Sequence, residues 1–211
     1  MARQTAISIN TIPIGPLGII GMPGCEELTD KIDKYLVKWR RTQASEHAES
    51  IAFFGYQRDT YKIDVSIPRF GSGEGKGVIN ESVRGYDIYI VCDVFNYSCS
   101  YDMYGKKVYM SPDDHFADLK RVISALCSKP KRVSVIMPML YEGRQHKRSS
   151  RESLDCAMAL KELVHLGVEN IITFDAHDQR VQNAIPDESF ENVMPTYQMI
   201  KALVNNVEDL N

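Results

Sequence analysis

The segment Gly143-Arg144-Gln145-His146-Lys147-Arg148-Ser149-Ser150-Arg151 places four strong cations directly after an apolar run, Arg132–Met137. Guanidinium groups offer planar, forked donors that match phosphate, and lysine adds a compact charge. A loop of this kind at a strand end either grips a polyphosphate or is solvated basic surface, and its composition admits both. Asp175-Ala176-His177 follows a second apolar run, Asn170–Phe174. A carboxylate and an imidazole two residues apart can face a magnesium ion or its water shell, although magnesium prefers oxygen and His177 would be an unusual ligand. The alternative is a helix N-cap at Asp175 or Asp178 beside a structural histidine.

The stretch Phe70-Gly71-Ser72-Gly73-Glu74-Gly75-Lys76 has the composition of a phosphate loop. It lacks a Gly-Lys-Ser/Thr ending and leads into the strand-like Val78–Asn80, not into a helix whose N-terminus would attract an anion. Its alternating glycines predict a mobile loop with little packing of its own. Asp113-Asp114-His115 is better explained as part of a helix start, Ser111-Pro112-Asp113-Asp114, than as a metal site. Five cysteines occur without a CxxC pair. Cys25, Cys127 and Cys156 fall near core positions on helical faces, where packing is their role.

The elements that must carry these residues follow from periodicity. Leu17–Gly21 reads as a short buried strand closed by Met22-Pro23-Gly24, and residues 26–42 read as an amphipathic helix. Tyr61–Phe70 alternates as a strand, and Asp87–Val91, Arg132–Met137 and Asn170–Phe174 are dense β-forming runs. Helical spacing joins Phe116 to Leu126, Leu154 to Leu163 and Tyr197 to Val204. Apolar strands separated by helices predict an α/β fold, a parallel β-sheet flanked by helices on both faces. Ligands then belong at the carboxyl ends of the strands.

At 211 residues, with 44% hydrophobic and 25% charged residues, the chain has ordinary globular composition. A formal net charge of -3 gives no basis for binding nucleic acid or an anionic membrane. Pro13, Gly15, Pro16 and Gly18 interrupt any N-terminal apolar stretch, no run reaches the length of a membrane span, and free thiols suit a reducing compartment. The expectation is a cytoplasmic protein.

Three segments, in order, resemble the N-terminal domain of the ribose-phosphate diphosphokinases (PRPP synthetases). Arg69-Phe70-Gly71-Ser72-Gly73-Glu74, with Val78–Gly85 and the strand Asp87–Val91, is similar to that family's adenine-binding loop and the turn and strand after it. Tyr141–Arg151 resembles its ATP-binding loop. Ile171–His177, with Gln182 and Pro186, resembles its Asp-Leu-His segment. The resemblance covers about residues 66–205. It implies a phosphoribosyltransferase-like fold in which Phe70, Ser72 and Glu74 bind the adenine of ATP from a loop that reaches into a neighbouring subunit, hence a homo-oligomer. Arg144 and Gln145 would meet the ATP, and His177, with Asp175 beside it, would hold its magnesium. Arg144 and His177 would be catalytic. The implied reaction moves the β,γ-diphosphoryl group of ATP to C1 of ribose 5-phosphate, giving PRPP for nucleotide biosynthesis, with Mg2+ and cations stabilising the developing charge.

Departures are equally visible. Ser72 replaces an Asn or Asp, His146 replaces an aspartate, a residue is missing near Ser149, and Asp178 and Arg180 charge a stretch that is neutral in the family. Residues 1–16 read as a lead-in, 17–204 as the domain with an insertion at about 43–60, and 205–211 as the start of a linker. The ribose 5-phosphate loop and the catalytic Lys/Arg loop of the family's second domain are not found, so this chain alone is expected to be inactive. The alternative is a non-catalytic regulatory or oligomerisation paralogue.

Overall fold

The β-branched runs stand side by side, because continuous apolar strands must be buried on both faces. The computed structural model describes residues 13–46 and 57–207. In chain order the elements are β1 (Leu17–Gly21), α1 (Glu26–Glu46), β2 (Val65–Ser66), β3 (Val78–Ile79), β4 (Asp87–Val91), β5 (Ser100–Met103), β6 (Lys106–Tyr109), α2 (Pro112–Ala125), β7 (Arg132–Met137), α3 (Asp155–His165), β8 (Asn170–Phe174), a 3-10 helix Gln179–Ala184, β9 (Ser189–Val193) and α4 (Thr196–Asn206). The central sheet has the order β1-β4-β7-β8-β9 and is parallel throughout.

Helices cover both faces, as expected. Ile19, Cys25, Tyr61 and Val91 pack with Ile32 and Leu36 of α1 on one side. Ile20, Ile88, Ile90, Val133, Val135 and Ile171 pack with α2 and α3 on the other. The division follows the path of the chain. From β1 it travels outward through α1 to Tyr61–Ile63, which lies parallel beside β1, and then returns across the sheet through α2 and α3. Right-handed crossovers place helices on opposite faces when the direction of travel reverses. Register is held at the β4–β7 entrance, where Asp87 and Arg132 are directly opposed. The guanidinium donates to both carboxylate oxygens, at 2.8 and 2.6 Å, and to Tyr89 at 3.1 Å.

Helix α2 begins as the sequence predicts. Ser111 caps it, Pro112 opens it, and Ser111 and Asp114 exchange the reciprocal bonds of a capping box. Other expectations change. The strand expected over Tyr61–Phe70 keeps its alternation but pairs regularly only at Val65–Ser66, against β3, because Pro68 has no amide to donate. Helix α1 runs to Glu46, so residues 43–46 of the expected insertion are helical, and residues 47–56 lie outside the described residues. The lead-in is described only from residue 13, and α4 continues to Asn206, past the expected linker start. Cys25 and Cys156 are buried, but Cys127 is exposed at φ 51°, where the chain leaves α2 in a left-handed turn.

Strand β3 sits directly on α2. A Cβ added to Gly77 would lie 2.6 Å from the Arg121 backbone oxygen and 2.7 Å from its carbon. Gly77→Ala is therefore expected to lower the unfolding free energy by about 1–3 kcal/mol through overpacking. Urea titration measures this, and an unchanged stability would mean that β3 is not seated on the helix.

Candidate active site

The loops that leave β4, β7 and β8 at their carboxyl ends enclose a cleft of about 920 Å³. Phe95 and Tyr97 come from the first loop, Pro138–Arg144 from the second and Phe174–His177 from the third, with Pro112 and Asp113 contributed by the start of α2. Arg144, Asp175 and His177 thus meet on one surface, although 31 to 33 residues of chain separate the first from the other two. All three are exposed.

Backbone geometry explains how they are presented. Asp175 adopts φ 48°, which ends β8 abruptly, while its amide donates to Val193 at 3.1 Å. The Ala176 amide donates to the Asn192 side chain at 2.9 Å, so β9 clamps the turn that carries His177. Across the cleft, Glu142 is also left-handed, at φ 55°, and Gln145 donates its backbone amide to Glu142. The Gln145 side chain donates to the Ser153 carbonyl at 2.7 Å. It closes the basic loop and does not line the cleft.

The departures from the resembling family come together here. His146 Nε2 lies 3.3 Å from Asp178 Oδ2, and its ring stands edge-on to His177 at 5.2 Å. Asp178 caps the 3-10 helix and binds the Arg180 guanidinium at 2.5 Å, which holds its carboxyl well below the usual carboxylate range. Asp178, not Asp175, is therefore the cap that the sequence left open. Arg144, Lys147, Arg148 and Arg151 enter none of the ion pairs found among the described residues.

The opposite wall was not anticipated. Tyr141 stacks on Phe116 at 4.3 Å and donates its hydroxyl to Asp113 Oδ1 at 2.6 Å. Burial first, then the Asp113 hydrogen bond and charge, raise the Tyr141 phenol above its ordinary range. Burial also raises the Glu142 carboxyl, with Asp155 and Asp113 adding to it. Asp113 was read from sequence only as part of a cap, yet it lines the cleft as well. His115 is buried, with its Nε2 2.8 Å from the Asn96 carbonyl, and no group of three or more His, Cys, Asp or Glu among the described residues could hold a metal ion.

Phe70, Ser72 and Glu74 stand elsewhere, at the tip of the β2–β3 hairpin. Phe70 is 58% exposed, so it is not a core residue. Its amide donates to the Glu74 carbonyl at 2.8 Å, and Ser72 Oγ donates to the Glu74 carboxylate at 2.7 Å. The loop is not the unpacked linker its glycines predict. Arg69 donates to the Gly73 carbonyl at 3.1 Å and to buried Asp118 at 2.5 Å, and lies over the Tyr101 ring at 4.3 Å. Arg121 takes the other Asp118 oxygen at 2.6 Å. Gly73 abuts Met103 and Tyr101, and Gly75 abuts Arg121 and Asp118, contacts that a side chain would disturb.

A family model described as the N-terminal domain of ribose phosphate pyrophosphokinase matches residues 17–167. Ribose-phosphate pyrophosphokinase 1 of Schizosaccharomyces pombe is 26% identical over 165 residues, which are 77% of this chain and 37% of that protein. The ribose-phosphate pyrophosphokinase of Vibrio cholerae is 25% identical over 150 residues, 69% of this chain and 43% of that one. This chain therefore spans less than half the length of these curated relatives. The crystal structure of phosphoribosylpyrophosphate synthetase from Mycobacterium smegmatis superposes with a TM-score of 0.66 at 18% identity, covering 90% of this chain and 52% of that one. At that identity the likeness establishes the fold.

Asp118 is the anchor of the tip, and its removal leaves two guanidinium groups without their carboxylate. Asp118→Ala is expected to lower the unfolding free energy by about 3–5 kcal/mol, as for other broken buried ion pairs. Chemical denaturation measures it, and a loss under about 1 kcal/mol would show that the pair contributes no more than a surface bridge does.

Proposed function

The chain belongs to the family described as the N-terminal domain of ribose phosphate pyrophosphokinase, and from that membership we propose that its cleft binds magnesium-ATP for diphosphoryl transfer to C1 of ribose 5-phosphate. The observation that supports this is the meeting of Arg144, Asp175 and His177 on one cleft beside unneutralised cations. Such a surface suits a polyphosphate. Arg144 takes the phosphates, and Gln145 keeps the loop on its course through Ser153. Magnesium enters with the nucleotide, since a carboxylate and an imidazole cannot form a cage by themselves. The single Asp175 carboxylate with substrate phosphates and water matches how magnesium is usually held, and His177 faces that water shell or a phosphate oxygen. When bound, the ion offsets charge on the transferring diphosphoryl group.

Phe70, Ser72 and Glu74 do not line this cleft. We assign them to the adenine of a nucleotide held by a neighbouring copy, which makes a homo-oligomer the working form. Phe70 supplies the stacking face, and Glu74, oriented by Ser72, supplies hydrogen-bond acceptors to an exocyclic amine. The product is PRPP for nucleotide biosynthesis in the cytoplasm. Among the described residues, no helix is long and apolar enough to cross a membrane. The acceptor of the proposed reaction is ribose 5-phosphate.

Binding, stability and turnover measurements test the reading. Arg144→Ala should weaken magnesium-ATP binding by about 1.5–3 kcal/mol, the range for hydrogen bonds to charged groups. Equal affinity in calorimetry removes the basic loop from the site. Phe70→Ala should also weaken binding, with a stability change within about 0.5 kcal/mol, as for exposed residues. The 211-residue chain should form no PRPP from ATP and ribose 5-phosphate, and product above a blank would show that these residues suffice for catalysis.

A further inference from the structure

The β5–β6 hairpin turns through Met103-Tyr104-Gly105-Lys106, with φ 48° at Tyr104 and 76° at Gly105. Two successive left-handed residues define the tight hairpin turn whose first central position favours Asn, Asp or Gly. A bulky aromatic residue at positive φ is disfavoured there. Nothing among the described residues offsets this. The Tyr104 side chain is 80% exposed, the highest value among the large hydrophobic side chains of the described residues. It enters no ring pair, cation contact or hydrogen bond among them. An aromatic ring held at an unfavourable backbone position, with little packing among the described residues, points to a contact outside them.

The hairpin's attachment says where that contact lies. The Tyr104 amide donates to the Gly71 carbonyl at 2.9 Å, joining the two hairpin tips directly. Below that bond, a Cβ on Gly73 would come within 3.0 Å of Met103 Sδ and 3.2 Å of the Tyr101 ring. Arg69, stacked over Tyr101 and bound to Asp118, fixes both hairpins to α2. Tyr104 and Phe70 therefore move as parts of one body, and both rings are presented to solvent.

We propose that Tyr104 is a second aromatic contact to the purine that Phe70 meets, so that the β5–β6 hairpin forms part of the base-recognition surface offered to a neighbouring copy. This rests on the assignment of the Phe70 tip made above. The chemistry is stacking on the face of a nucleobase, which needs a π surface but no titratable group.

Tyr104→Asn provides the test, because Asn suits the left-handed turn while removing the ring. The unfolding midpoint in urea should stay level or rise. Magnesium-ATP affinity, measured by calorimetry, should fall about tenfold, within the range for loss of one base–aromatic stack. Magnesium tripolyphosphate, which has no base, should bind both proteins alike, and Tyr104→Phe should keep the wild-type ATP affinity. If Phe70→Ala weakens ATP binding and Tyr104→Asn does not, this inference is overturned and the Phe70 assignment stands. If the wild-type chain binds no ATP, or Phe70→Ala binds it as well as wild type, the tip assignment fails and this inference with it. A Tyr104→Asn protein that loses stability, or loses tripolyphosphate affinity equally, assigns the ring a structural or electrostatic role and also overturns the proposal.

Discussion

Asp118 is buried on α2 among apolar side chains, at 2% exposure, and a carboxylate in such a place must be paired by charge and hydrogen bonds. Arg69 and Arg121 share it, one oxygen each. The pairing dictates much of the surrounding architecture. Arg69 must reach down from the β2–β3 hairpin, which draws that hairpin onto α2. Glycine is then needed at position 77, where a Cβ would meet the Arg121 backbone at 2.6 Å, and at position 73, whose φ of 91° disfavours a side chain. A Cβ at position 75 would press on Arg121 and Asp118 at 3.0 Å. The guanidinium leaves one flat face for Tyr101, which seats the second hairpin. An exposed tip carrying Phe70 is thus held by a buried charge some distance away along the sequence, and glycine here serves close approach, not flexibility.

The same requirement organises the basic loop. His146, Asp178 and Arg180 look like three separate departures in the sequence, but they form one chain of contacts between the loops after β7 and β8. Arg180 is paired with Asp178. Asp178 in turn is tied to the backbone amide of Arg180 and to His146. The arrangement joins Arg144, through the His146 contact with its carbonyl, to the turn bearing His177.

How much of this was legible depended on the kind of signal. Asp87–Val91, Arg132–Met137 and Asn170–Phe174 carry dense β-forming runs, and all three became central strands. Ser111-Pro112 carried its cap in the primary sequence. Strand β9, Ser-Phe-Glu-Asn-Val, did not stand out because it lies at the sheet edge and buries little. The β5–β6 hairpin was missed because Ser-Tyr-Asp-Met and Lys-Lys-Val-Tyr are short and polar and their turn lacks the usual Asn-Gly. Asp175 and His177 could be picked out by residue type. The Tyr141–Asp113 wall could not, because it depends on a contact across 28 residues that only the packing of α2 creates.

That wall is acidic. Burial first, then the Asp155 and Asp113 charges, disfavour ionisation of Glu142, and the Arg144 charge opposes them. The Tyr141 hydroxyl is kept protonated as a donor to Asp113. Arg144 stands two residues from Glu142 in the same loop, so acid and base share one edge of the cleft. Phe95, Tyr97, Met139 and Phe174 add aromatic and apolar surface to the cleft. On the proposed reading, Arg144 takes the phosphates at that edge, and the base projecting from the cleft meets Phe70 of a neighbouring copy.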